Sequence, residues 1–319
     1  MHLKNQTLMI NRILLRIKIV QIVFSFYKND KNTEKAAVNE LFLSIEQTYK
    51  LYNFLLLLAI EITKMAQNRI EMGKRKLRPA PEELNPNMRF AENAFIEQLS
   101  SNMQLKKYIE TEKISWADHP ETIKKLYEEI VCSDYYSEYM NTPTSSYKDD
   151  KDIWRKIFKR TILVSKDLDE TLEDINLYWN DDIEIVISFI LKTIKQFEES
   201  EGVFQSLQPM FRDEEDSAFA RELLLETLRN EKEYRDLIDE HTKNWELDRI
   251  AFMDIIIMQI ALAELYNFPK IPVNVTLNEF IEISKSYSTE KSGTFINGVL
   301  DNIVEKLRKE NKLTKIALI

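Results

Sequence analysis

The chain has 319 residues, 44% of them hydrophobic, with only four glycines and eight prolines. That composition excludes a disordered chain and a turn-rich β architecture, and leaves room for one large or two ordinary helical domains. A formal net charge of −9 and one cysteine exclude a uniformly basic nucleic-acid binder and an internal disulfide framework.

Cys132 alone reads as a small buried apolar residue, and a protein of a reducing compartment, the cytoplasm, is expected. The charge is unevenly spread. Residues 1–29 carry +5, from Lys4, Arg12, Arg16, Lys18 and Lys28, and residues 285–319 carry +3, which leaves −17 for the residues between. An acidic body repels nucleic acid at long range, so any RNA contact has to use the two basic ends, brought together by the fold.

The first segment, LMINRILLRIKIVQIVFSFY (8–27), is apolar almost all round, the mark of a buried helix or one covered by a partner. Arg12 and Arg16 are four apart and share a face. Met9 offers a second start. Residues 33–72 read as one or two long helices on the spacing of Leu41, Ile45, Tyr49, Tyr52 and Leu56. Gly73, Pro79, Pro81 and Pro86 mark 73–87 as a loop, which contains the basic cluster KRKLR (74–78). Helices are predicted over 89–114, 119–140, 151–172 and 181–199, with a second loop at 142–150. Asn180, Asp181 and Asp182 suit the N-terminus of the last of these.

Acids 213–216 open the next helix, and LDRIAFMDIIIMQIALAELYNF (247–268) is an apolar helix closed by PKIP. Thr276 and Glu279 then stand in capping-box spacing. In the final helical stretch Phe295, Val299, Ile303 and Leu307 fall four apart, which outweighs the hairpin cue of Asn297-Gly298. Ser292 is its expected N-cap. Gly298 in a helix interior costs about 1 kcal/mol relative to alanine. Close approach of another helix backbone is the expected return, an interrupted helix the alternative.

No catalytic residue, metal ligand or cofactor is expected. The three histidines are isolated, and HExxH, P-loop, GxGxxG and GxSxG patterns do not occur. The acidic runs lack calcium-loop spacing and read as helix starts. The longest apolar run, FLLLLAI (54–60), is too short to span a bilayer.

The segments IALAEL, IPVNVTLNEFIEISKSYS and SGTFINGVLD, in that order over some sixty residues, resemble the C-terminal half of the NusB family. SAFARELLLETLRNEKEYRDLI is similar to the family helix that precedes them, and RIKIVQIVFSFY, more weakly, to its first helix. The resemblance implies an all-α fold, a NusB-like bundle of two small helical subdomains. Residues 1–30 would supply its first helix and 211–319 its C-terminal domain, with 31–210 a helical insertion.

The resemblance also implies partners: NusE, a ribosomal small-subunit protein that doubles as a transcription factor; BoxA-type leader RNA; and the RNA polymerase antitermination complex. The family's first helix begins with RNA-contacting arginines. Arg12 and Arg16 match them, with Lys18 nearby, while Ile13 and Leu14 stand where further arginines are common. The turn before the last helix implies RNA contacts at Lys285, Lys291 and Phe295, though helical spacing fits Phe295 equally to the core. Phe24 and Asp254 match the surface facing NusE, and a solvated acid is the plain alternative for Asp254. Two readings stand: an antitermination factor for ribosomal RNA operons, or a helical protein-interaction module with reduced RNA binding.

Overall fold

The computed structural model describes residues 12–29, 33–144, 146–211, 213–242 and 251–313, and every regular element among them is helical. None of the described helices is long and apolar enough to cross a membrane. The chain opens with α1 (Arg12–Tyr27) and the 41-residue α2 (Glu34–Lys74). It divides into two compact units, and the division falls inside α2. Glu46–Met210 belong to one unit; Ile10–Ile45 join Phe211–Ile319 in the other.

The first unit continues through α3 (Pro81–Leu84), α4 (Ala94–Ser101), α5 (Met103–Glu112), α6 (Pro120–Val131) and α7 (Asp134–Asn141), then α8 (Tyr147–Arg160), α9 (Lys166–Ile175) and α10 (Ile183–Gln196). Three of the predicted long helices are each broken in two, and in each case a polar residue caps the second half. Asn102 accepts from the Leu105 amide, Ser133 from Tyr136 and Ser165 from Leu168. A side chain that satisfies an orphan amide restarts the helix in a new direction. The core is aromatic. Trp116 stacks on Phe54 at 4.1 Å and its indole N–H donates to the Phe54 carbonyl at 2.9 Å. Trp179 donates to the Gln47 carbonyl at 2.9 Å. Cys132, expected in the core, is exposed just past the end of α6, where the helix terminates.

The second unit adds α11 (Glu214–Arg229), α12 (Glu231–His241), α13 (Phe252–Asn267), α14 (Val273–Tyr287) and α15 (Ser292–Lys309). Its centre is α13, which packs against α1, α11, α12, α14 and α15. Every residue from Asp254 to Leu265 is buried, so the all-round apolar pattern of this helix follows from its being surrounded. The three polar residues in that run each tie it to a neighbour. Gln259 donates to the Glu231 carbonyl at the start of α12; Glu264 and Asp254 reach α1, α14 and α15 as described below. Two helix starts shift. Pro272, not Thr276, precedes α14, and Thr276 lies inside it, donating to Glu264 at 2.8 Å. Lys291 precedes α15, and Ser292 is its first residue.

Candidate nucleic-acid and partner interface

Arg16 and Lys18, expected as RNA contacts, are buried at 2% exposure each. Arg16 has a structural task. Its Nε and Nη2 donate to the two carboxylate oxygens of Glu264 at 2.7 and 2.8 Å, and Nη1 lies 3.6 Å from Glu279. Such a fork matches a carboxylate bidentately and fixes α1 against α13. Thr276 Oγ1 donates to the same Glu264, bringing in α14. Periodicity did place Arg16 on one face with Arg12, but that face turns inward after the first turn. Glu279 sits half-buried beside this pair. Burial raises its carboxyl above the usual range, against the opposing pull of Arg16.

Arg12 remains accessible, with 38% of its side chain exposed. Its Nε lies 3.3 Å from Asp216 at the start of α11, and its guanidinium sits 4.8 Å over the Phe219 ring.

The remaining expected residues gather at the other end of α14. Lys285 is exposed and ion-paired to Glu282 at 2.5 Å. Its stem lies against buried Gly293, where a Cβ would sit 3.7 Å from Lys285 Cγ. Lys291 is exposed at the head of α15, with Phe295 half-buried one turn later. Asp254, expected to face a basic partner, is only 4% exposed. Its carboxylate accepts from Ser288 Oγ at 2.5 Å and Ser292 Oγ at 3.0 Å. The acid therefore clamps the α14–α15 turn to the start of α13 instead of presenting charge outward.

Phe24 is exposed near the end of α1, where its ring lies 5.8 Å from that of Phe252. Lys28 Nζ lies 4.7 Å from the Phe252 ring and 5.8 Å from Phe24. This is a cation held over accessible aromatics, a combination suited to stacked bases or to a partner's side chains. Phe252 belongs to that surface and was not singled out in the sequence. Its signal was an aromatic on the first turn of an otherwise enclosed helix.

Of the expected RNA residues, those left accessible therefore occupy two places. Lys285, Lys291 and Phe295 share the α14–α15 turn, while Arg12 stands at the start of α1. Glu264, which binds Arg16, and Asp254, which binds the turn, are ten residues apart on α13, about 15 Å at the rise of an α-helix. Gly298 is exposed, and a Cβ there would meet nothing within 4 Å. It is not a packing notch; Gly293 is the glycine packed on α14.

The NusB family model matches residues 184–305. The match begins inside α10, upstream of residue 211, where the sequence reading placed the start of the C-terminal resemblance. The transcription antitermination protein NusB of Salinibacter ruber is 39% identical over 132 residues, covering 40% of this chain and 82% of that protein. The protein of the same name from Bacillus licheniformis is 37% identical over 103 residues, covering 32% of this chain and 80% of its own. A solved structure of T. maritima NusB is 27% identical, covers 48% of this chain and 91% of that one, and superposes with a TM-score of 0.28.

Proposed function

The chain belongs to the NusB family, and we propose on that footing that it is a transcription antitermination factor acting on ribosomal RNA operons, where it binds NusE and BoxA-type leader RNA. The observation that carries the reading is the extent of the likeness: four-fifths of the S. ruber protein is matched at 39% identity. The surfaces support it. Lys285, Lys291 and Phe295 offer cations and a ring to single-stranded RNA, which is held by phosphate contact and base stacking. Phe24, with Phe252 and Lys28, offers an accessible apolar anchor of the kind that dominates protein interfaces. Arg16, Lys18 and Asp254 act in this reading by holding those surfaces in place.

The burial of Arg16 and Lys18 favours a second reading, a protein-interaction module with weakened RNA binding. One experiment separates the two. NusE is captured on the immobilised chain, and the affinity of the pair for BoxA and for a scrambled RNA is then measured. The first reading expects capture, loss of capture with Phe24→Asp, and a clear preference for BoxA. Equal weak binding of both RNAs selects the second reading, and no capture refutes the first and leaves the second only with a partner other than NusE.

A further inference from the structure

In the first unit, residues 197–207 leave the core and return to it. Phe197 is fully buried, its ring 5.2 Å from that of Phe95, and Leu207 is buried at the other end. Between them two short 3-10 turns within Glu199–Phe204 meet at Gly202, whose φ of 52° glycine adopts freely. The loop carries apolar side chains outward. Phe204 is 74% exposed, with Val203 exposed before it. Met103, 55% exposed, stands on α5 between Asn102 and Gln104, two residues that hold the loop. The bracing is polar. Gln98 Nε2 donates to the carbonyls of Glu198 and Gly202 at 3.0 Å each, and Asn102 Nδ2 to the Gln205 carbonyl at 2.7 Å. Gln104 Oε1 accepts from the Leu207 amide at 2.8 Å, and Gln205 Oε1 from the Glu198 amide at 2.9 Å. These bonds fix the backbone and leave the Phe204 ring in solvent. Glu198, Glu199 and Glu201 are exposed around it, and none has an ion-pair partner among the described residues. Lys151, at the foot of the loop, donates to the Phe197 carbonyl at 2.7 Å and pairs with none of them.

We propose that this loop docks a basic protein segment. Phe204 enters an apolar pocket of the partner, and lysines or arginines around that pocket meet Glu198, Glu199 and Glu201. An aromatic anchor concentrates binding energy at an interface, and a rim of complementary charge steers the encounter. Holding the ring out in advance reduces the ordering cost of association. RNA is the wrong occupant, because three carboxylates beside the ring repel a phosphate backbone. The same charge turns away an anionic bilayer surface. Phe24, the residue proposed to face NusE, belongs to the other compact unit, so the loop is a second and independent protein site. The inference goes beyond the proposed function and rests on it only for the assembly that holds the partner, RNA polymerase.

The test uses the full chain in an assembly reconstituted with NusE, a BoxA-type RNA and RNA polymerase, with the photocrosslinking amino acid p-benzoylphenylalanine in place of Phe204. Irradiation is expected to link position 204 to a polymerase segment that carries lysine or arginine beside apolar residues, mapped by mass spectrometry. Phe204→Ser is expected to weaken polymerase binding about thirtyfold, the size set by an aromatic hot spot. Glu199→Lys combined with Glu201→Lys is expected to slow association, more at low salt than at high salt. All three side chains are exposed, so the thermal unfolding curve, NusE capture and BoxA affinity are expected to stay as in the wild type. Links to RNA, to NusE or to a second copy of the chain, or no link at all, overturn the proposal, as do variants that bind polymerase like the wild type. In each of those cases intact NusE capture and BoxA preference leave the proposed function standing. A wild-type chain that joins neither NusE nor BoxA RNA defeats the underlying reading, and the docking proposal with it.

Discussion

Arg16 lies between two carboxylates and two rings, its guanidinium 5.5 Å from the Phe219 centroid and 5.9 Å from Phe280. Removing one partner of a buried pair leaves the other charge uncompensated, and Arg16→Ala is expected to lose about 3–5 kcal/mol of unfolding free energy by urea titration. Arg16→Lys restores the charge but not the fork, and is expected to recover only part of that. A loss below about 1 kcal/mol for Arg16→Ala, the size typical of an exposed pair, would contradict the buried role. Glu279 supplies a pH signature. Its carboxyl is raised in the fold by burial, so the native state holds more protons than the unfolded chain as pH rises from the ordinary carboxylate range. Stability then falls with increasing pH through that window. Glu279→Gln removes the titration, so its stability relative to wild type should climb from acid toward neutral pH. A flat difference across the window would show that the Arg16 attraction cancels the burial.

At the scale of elements, the turn between α14 and α15 is held by one carboxylate. Asp254→Ala leaves Ser288 and Ser292 without their shared acceptor, and hydrogen bonds to a charged group are worth about 1.5–3 kcal/mol. Amide exchange is expected to quicken at Thr289 and Ser292 while the middle of α13 stays protected, because the loss is local. Gly298 behaves oppositely. With open space where its side chain would be, Gly298→Ala has no clash to offset the gain in helix propensity, and is expected to stabilise the protein by about 1 kcal/mol in thermal or urea unfolding. Destabilisation would show that α15 is not a regular helix there.

For the whole molecule, charge sets the scale of RNA binding. The chain carries −9 overall, so affinity cannot come from a general positive field and has to come from a few placed cations. The RNA reading uses Arg12, Lys285 and Lys291. Three phosphates at about 0.7 each give a salt slope near −2. A much steeper slope in a salt titration would mean that cations outside this set take part.

The helical class, the position of most helices and the NusB likeness could all be read from the sequence, because hydrophobic period and local motif order are properties of neighbouring residues. The Asn-Gly pair in FINGVLD was correctly placed inside a helix for that reason. What only the tertiary structure decided was which side of each helix found a neighbour. Arg12 and Arg16 share a helical face, yet one stays accessible and the other is enclosed by Glu264 and Phe280. Asp254 looked like a surface acid until two serines some thirty residues later supplied its hydrogen bonds. Phe252 joined a candidate surface only when the end of α1, far away in the chain, was laid beside the start of α13. Burial and ion pairing are set by residues distant in sequence, and one chain read alone does not show which of them meet.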